Sequence, residues 1–169
     1  MKKLFLSVLM LSLATAAMAQ NNTSKEARAA QRAARQEQMT QQLTSALQNH
    51  NFTFSASQVS TPIGGMPQTL NQWNNYVEVY PESIQVSLPY ITGSVDLAPL
   101  RIEFTTTQFT FWEDMNNGSQ WTVVFQTETG ANVKYVFHLN YDTNSGLATL
   151  TLVPNSGNTL TYTGSLQAN

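Results

Sequence analysis

The chain has 169 residues, no cysteine and a formal net charge of −2 at pH 7. The lack of cysteine excludes disulfides, thiolate zinc sites and cysteine nucleophiles. Residues 50–169 hold eight carboxylates against two cations, a net charge of −6, which disfavours nucleic-acid binding because such binding needs a basic surface for phosphates.

Residues 1–19 have the features of a secretory signal peptide. Lys2 and Lys3 precede a short apolar run, and the sequence Ala-Met-Ala at 17–19 matches a cleavage site. The apolar run is too short to span a bilayer. We therefore expect an exported protein, periplasmic or extracellular, whose mature chain starts at Gln20 and has no transmembrane segment. Without a cysteine to carry the lipid, it is not expected to be a lipoprotein.

Residues 20–49 form the next segment, with a helix predicted over 23–49. Thr23 and Glu26 have the spacing of a capping box, and no glycine or proline occurs before Pro62. Four apolar side chains share one face of the last turns, so we expect these turns to dock on a core: Met39, Leu43, Ala46 and Leu47.

Projected backwards along the helix, this apolar stripe becomes a row of cations: Lys25, Arg28, Arg32 and Arg35. Two interpretations remain open. The first half of the helix is a solvated extension, or its cations lie over the acidic domain or bind an anionic partner such as a polysaccharide, a lipid headgroup or an envelope protein.

Residues 50–169 are predicted to form a single β-rich domain. From Phe52 onward the pattern alternates with a period of two in about eight or nine short segments, joined by tight turns such as the one at Asn117-Gly118. The expected fold is mostly β, an antiparallel meander that forms a barrel or a two-layer sandwich, preceded by one N-terminal helix.

Recognisable catalytic and metal-binding motifs are absent from the sequence. Neither His50 nor His138 has a second ligand at a metal-site spacing, and phosphate-binding, dinucleotide-binding and serine-nucleophile motifs do not occur. We therefore predict no catalytic residue, no metal site and no cofactor. A hydrolase that pairs distant carboxylates, such as Glu78 and Glu103, is the remote alternative.

The candidate ligand-binding residues are aromatic side chains and the loop after Leu88-Pro89-Tyr90. Pro89 must lie at a strand end, a bulge or an edge, which places Tyr90 at a rim, either as a plug or as the lip of a site. Trp121 is expected in the core, whereas two tryptophans are expected to be exposed. The full set of candidates is Tyr90, Trp73, Trp112 and Asp96.

Four short motifs carry a resemblance to a known family: Asn51-Phe52, the strand Tyr76–Val79, Leu88-Pro89-Tyr90 and Tyr162-Thr163-Gly164. Over residues 47–166 they resemble a Bacteroidetes family of exported proteins, the domain of unknown function numbered 4251. The chain departs from the family pattern after Tyr90, where Ile91-Thr92-Gly93 replaces an aromatic residue followed by glycine. The resemblance implies export and a β-rich fold, and it implies no activity and no catalytic residue.

Together these features predict an exported, non-enzymatic β-domain that binds a small or extended neutral ligand, or a protein partner, through its strand ends and open face. The alternative is an envelope protein–protein interaction or inhibitor module whose contact surface is the basic helix. Enclosure of a cavity by the sheet, and the residues lining it, would bear most directly on this choice.

Overall fold

A computed structural model describes residues 2–60, 66–70, 74–91, 100–129 and 133–169, apart from the side chains of residues 2–24 and 113–117. The chain divides into two compact units, Met1–Gln41 and Gln42–Asn169. One helix, α1, spans Lys2–Gln48. It therefore begins well before Thr23, and the predicted helix start was wrong because no glycine or proline interrupts the helix-forming residues that precede the capping box.

Helix α1 ends in a left-handed turn at His50, whose φ is 50°. The Asn51 N–H donates to the Ala46 carbonyl at 2.8 Å, and the His50 N–H donates to the Leu47 carbonyl at 3.2 Å. This pair of bonds is a Schellman motif, which satisfies two otherwise unpaired carbonyls at the helix end. The His50 ring stacks on Phe111, with ring centroids 3.6 Å apart, and this contact offsets part of the strain of the left-handed residue.

The last two turns of α1 pack on the core of the second unit, as the apolar stripe predicts. Leu47 is fully buried, Ala46 is buried and Leu43 is partly buried. Met39, one turn earlier, is 63% exposed, so the prediction that it docks was wrong. The apolar contact of the helix begins at Leu43.

Within the described residues, ten antiparallel strands follow α1 and form one sheet, so the predicted mostly β fold is confirmed. The path through the sheet is β5-β4-β3-β1-β10-β9-β8-β7-β6, and β2 pairs with β1 beside it. The strand bounds are β1 Phe52–Ser60, β2 Gln68–Thr69, β3 Tyr76–Val79, β4 Ile84–Tyr90, β5 Leu100–Thr106, β6 Phe109–Asn117, β7 Gln120–Glu128, β8 Lys134–Asp142, β9 Ala148–Pro154 and β10 Leu160–Ala168.

The sheet curls into a nearly closed barrel because its two terminal strands are neighbours in the chain. β5 and β6 lie at opposite ends of the strand path, yet only residues 107–108 separate them. At this corner the Gln108 N–H donates to Thr106 Oγ1 at 3.0 Å, and the Glu128 N–H donates to the Gln108 carbonyl at 3.1 Å. Within the described residues no ladder joins β5 to β6, so the closure is incomplete.

A continuous set of aromatic rings fills the part of the barrel nearest the corner. Phe125 and Phe137 stack with centroids 4.8 Å apart, and both are fully buried. Phe111 contacts Phe125 on one side, and Tyr135 contacts Phe137 on the other. Each such pair contributes about 0.5–1.5 kcal/mol beyond the burial of its surface. Trp121 is 4% exposed, which confirms its predicted place in the core.

A bulge in β1 depends on a glycine in the strand beside it. The register between β1 and β10 shifts between Ala56 and Gln58, so Ser57 is extra and the two halves of β1 pair with different strands, β3 and β2. Gly164 faces this bulge, and a Cβ on it would lie 1.9 Å from the Ser55 carbonyl oxygen. Only glycine allows the two backbones to approach so closely.

The carboxyl end of β4 is tied to β10 by a buried hydrogen bond. The Tyr162 hydroxyl donates to the Pro89 carbonyl at 2.7 Å, and Tyr162 is fully buried. Pro89 lies beyond Ser87, the last residue of β4 that pairs with β3, so the proline disrupts no ladder on that side. The predicted position of Pro89 near a strand end is therefore confirmed.

We predict that Gly164→Ala lowers the free energy of unfolding by at least about 2 kcal/mol, because the added methyl group meets backbone that cannot move without breaking the bulge. Gly146→Ala is the matched control, since its Cβ would meet nothing within 4 Å and only its φ of 70° opposes the change, at about 1 kcal/mol. Urea unfolding measures both values. Equal losses in the two variants would contradict the proposed steric origin.

We predict that Tyr162→Phe destabilises the protein by about 1–3 kcal/mol, because it leaves the Pro89 carbonyl without its buried donor. Burial, and secondarily Tyr90, raise the pKa of the Tyr162 phenol well above its usual range. In the unfolded chain the phenol has the ordinary tyrosine pKa of about 10. The contribution of the Tyr162 phenol to the free energy of unfolding is therefore at its maximum below about pH 10. This contribution declines as the pH rises above that value.

Urea unfolding between pH 8 and 11 measures this decline. Above about pH 10, the free energy of unfolding should fall less steeply with pH in Tyr162→Phe than in the wild type. The reason is that the variant lacks the phenol proton that unfolding releases. Identical slopes would contradict the assignment of the decline to Tyr162.

Candidate functional site

Tyr90 lies on the inner face at the end of β4, opposite Leu100 in the β4–β5 ladder. Its hydroxyl accepts a hydrogen bond from the Asn158 N–H at 2.7 Å. A Cβ on Gly157 would lie 2.3 Å from this hydroxyl, so the glycine leaves the space that the ring occupies. Tyr90 thus holds the β9–β10 loop against the end of β4. Its ring fills the space between them, as the plug interpretation predicts.

Four partly exposed side chains of the inner face surround this end of the barrel, and we call them the mouth: Tyr90, Leu100, Phe104 and Tyr135. Phe104 and Tyr135 stack across the gap beyond β5, with centroids 5.4 Å apart. Leu100 points inward in the register of β5 but is 64% exposed. The mouth therefore presents aromatic and aliphatic surface to solvent and has no charged member.

The tyrosine hydroxyls of the mouth differ in what they bond. Those of Tyr90 and Tyr162 are engaged by backbone groups, whereas the Tyr135 hydroxyl forms no hydrogen bond within the described part of the chain. Burial, and then the nearby Tyr90, raise the pKa of the Tyr135 phenol. At neutral pH Tyr135 is thus an uncharged hydroxyl that is free to donate or accept.

Thr127 lies beside Tyr135 of the mouth. It pairs with Tyr135 on β8 and with Phe109 on β6, and all three side chains face inward. Thr127 is fully buried, and its hydroxyl has no hydrogen-bond partner among the described residues. A buried hydroxyl without a partner costs about 1–3 kcal/mol, so this group favours any ligand that supplies one.

Arg101 fastens the start of β5 from the outer face. Its guanidinium donates to Ser87 Oγ at 2.8 Å, to the Asn74 carbonyl at 2.5 Å and to Glu103 Oε1 at 2.9 Å. Hydrogen bonds from Arg101, and then from Ser87, lower the pKa of the Glu103 carboxyl. This clamp positions β5 behind the mouth and keeps Glu103 ionised.

Glu78 and Glu103 both lie on the outer face, on strands separated by β4. Glu78 accepts a hydrogen bond from the Tyr80 hydroxyl at 3.2 Å, while Glu103 is paired with Arg101. A glycosidase acid needs a raised pKa and a facing carboxylate, and Glu103 has a lowered one. Across the described residues, no cluster of three or more histidines and carboxylates could hold a metal ion.

The other predicted ligand-binding residues do not join the mouth. Trp112 is 58% exposed, so its predicted exposure is confirmed, and it occupies the bulge of β6 where the register shifts between Phe111 and Glu113. It lies on β6, whereas the mouth residues lie on β4, β5 and β8. Trp73 and Asp96 lie outside the described residues.

The predicted partner-binding cations all lie in the first compact unit, on the helical stretch of residues 25–39, where every side chain is exposed. They are Lys25, Arg28, Arg32 and Arg35. Their spacing of three, four and three residues places them along one side of the helix.

Two groups of polar residues were missed by the sequence analysis. Thr127 continues the inward-facing run of Trp121, Val123 and Phe125, so the sequence indicated a hydroxyl on the inner face. Its lack of a partner depends on which side chains three neighbouring strands bring together. Gln42, Ser45 and Asn49 recur at helical spacing on the side of α1 next to its buried stripe, and this polar face was a signal in the sequence.

Among the described helices, none has both the length and the apolar composition needed to cross a bilayer.

Known proteins were compared with this chain by sequence and by structure. No curated protein matches the chain. A crystal structure of a DUF4251 family protein from Bacteroides eggerthii is similar, with a TM-score of 0.62 and 20% identity, over 77% of this chain and 87% of that chain; at this identity it supports the fold.

The family assignment extends further than the four motifs. The model of the domain of unknown function DUF4251 matches residues 34–166, so it includes the docking turns of α1 as well as the sheet. The family that the sequence resemblance indicates is thereby confirmed, and the chain belongs to the DUF4251 family.

Proposed function

We propose that this protein is an exported, non-enzymatic binding protein of the bacterial envelope that takes a neutral ligand at the mouth. The observation that carries the proposal is the buried hydroxyl of Thr127, which has no partner among the described residues and lies next to Tyr135 of the partly exposed aromatic surface. Binding sites combine apolar walls with a few polar groups that orient the ligand, and Tyr135 and Thr127 are such groups.

The energetics favour entry of a ligand between Phe104 and Tyr135. Separating the stacked pair costs about 0.5–1.5 kcal/mol, while giving the Thr127 hydroxyl a partner recovers about 1–3 kcal/mol. A ligand with a flat apolar face replaces the lost stacking contact, so the hydrogen bond gained by Thr127 offsets the cost of separating the rings. The chemical class that fits is an uncharged ring with at least one hydrogen-bonding group, such as a glycoside.

We predict that alkyl or aryl glycosides raise the melting temperature of the wild-type protein. At a concentration of about 100 times Kd the stabilisation is about 2.7 kcal/mol, which corresponds to roughly 5–10 °C in a domain of this size. Phe104→Ala should abolish the shift. Thr127→Val should raise the melting temperature of the free protein, because it removes the unpaired hydroxyl, and should reduce the shift.

Leu147→Ala is the control for this screen, because Leu147 is also an exposed apolar side chain, 50% accessible, but lies in the turn before β9. Its response to the glycosides should equal that of the wild type. The proposal fails if no glycoside raises the melting temperature, or if Phe104→Ala and Thr127→Val respond as fully as Leu147→Ala does.

A second candidate function, an interaction module for an acidic envelope protein, is supported by the basic helix. Residues 25–39 are helical with every side chain exposed, and they carry four cations against two carboxylates. An isolated helix of this length is marginal in water, so a partner that neutralises its cations would also stabilise it.

We predict that replacing Arg28, Arg32 and Arg35 with alanine removes a salt-sensitive partner that copurifies with the wild type at low ionic strength. The free energy of unfolding of residues 42–169 should remain unchanged, because the replaced side chains are exposed. Copurification is measured by quantitative mass spectrometry, with the Glu26→Gln, Glu37→Gln variant as control. Recovery of the same partners by the triple variant would exclude this role for the helix.

A further inference from the structure

A groove of about 450 Å³ lies between the last turns of α1 and the end of β10. Four of its seven lining residues carry side-chain amides, namely Gln42, Asn49, Asn51 and Asn169. The other three are Ser45, Ala46 and Ala168. None of these residues has a charged side chain, and the only apolar side chains among them are the methyl groups of two alanines. The volume is within the range of about 300–1,000 Å³ found for small-molecule sites.

The fold holds the two walls of the groove in fixed positions. On the helix wall, Gln42, Ser45 and Asn49 are spaced three and four residues apart, which places them on one face. The buried stripe of the same turns anchors this wall to the core. The Schellman bond from the Asn51 N–H to the Ala46 carbonyl, 2.8 Å long, places Asn51 beside the helix end.

The strand wall is anchored by the side chain of Asn169. Its Oδ1 accepts a hydrogen bond from the Thr53 hydroxyl at 2.6 Å, and its Nδ2 donates to the Val79 carbonyl at 3.1 Å. Because these bonds reach two further strands, this side of the groove is held by the sheet itself.

The groove has unused hydrogen-bonding capacity. The side chains of Gln42 and Asn51 form no hydrogen bond within the described residues. Asn49 donates from Nδ2 to Ser45 Oγ at 3.3 Å, which leaves its carbonyl oxygen available. Each side-chain amide offers two donors and a carbonyl acceptor, so neighbouring amides are suited to adjacent hydroxyl groups, which both donate and accept.

We propose that this groove is a second binding site, for a neutral oligosaccharide. A charged ligand would find no side chain of opposite charge in the lining, and an apolar ligand would find only two methyl groups. A peptide would bring side chains that need pockets of their own, which the alanine methyls do not supply. Uncharged hydroxyl groups are the remaining chemistry that matches the lining, and the site does not depend on ligand binding at the mouth.

The test is a titration of the ¹⁵N-labelled protein with neutral hexasaccharides of glucose, xylose or mannose, in which the side-chain NH₂ signals are followed by NMR. At least one probe should shift the signals of Gln42, Asn49 and Asn51 in a saturable manner. Gln42→Ala and Asn49→Ala should each weaken binding about tenfold. Gln48→Ala, which removes an exposed amide of α1 outside the groove, should leave it unchanged.

Two further arms separate this site from the alternatives. Phe104→Ala should retain the hexasaccharide response in full, so a response lost in Phe104→Ala would assign the binding to the mouth and overturn the groove proposal. A neutral hexapeptide of alanine and glycine should shift none of the three amide signals. The proposal is also overturned if the peptide alone shifts them, if no hexasaccharide does, or if Gln48→Ala loses as much affinity as Gln42→Ala.

Discussion

The connection between β5 and β6 is the constraint on which the rest of the structure depends. Two residues join the strands at opposite ends of a single sheet, so the sheet must curl until its ends meet. Curling turns one face of every strand inward and excludes water from it, and burial of that face supplies the stabilisation that a chain without disulfides requires. The hydrogen bonds among Thr106, Gln108 and Glu128 hold this corner.

Curvature of this kind has local costs, and the chain meets them at specific residues. Ser57 is the extra residue that bends β1, and Gly164 supplies the backbone clearance opposite it. At the end of β4, the hydroxyls of Tyr162 and Tyr90 form hydrogen bonds with backbone groups, which link β4 to β10 and to the β9–β10 loop. Thr127 differs from these tyrosines because its hydroxyl is buried without a partner among the described residues, and this difference gives the mouth its proposed role.

Several site residues were predictable because their signals are local. Pro89 indicates the end of β4, and therefore the rim position of Tyr90, through its own lack of an N–H. Trp112 was correctly expected to be exposed from alternation, although the bulge in β6 contributes to that exposure. Alternation places Thr127 on the inner face. Its hydroxyl lacks a partner because its neighbours on β6 and β8 are the aromatic side chains Phe109 and Tyr135. The amide groove likewise required the end of β10 to meet the end of α1.

By itself, the sequence determined the mostly β class, the family, the approximate end of the helix, and the buried face of several strands. These properties follow from periodicity and turn chemistry, which act over a few residues. Only the tertiary structure decided between a barrel and a sandwich, joined the free edge of β5 to Tyr135 through Phe104, and brought Asn169 against Thr53. The physical reason is that these contacts join residues far apart in the chain, and their existence depends on how the whole sheet curls rather than on any segment of it.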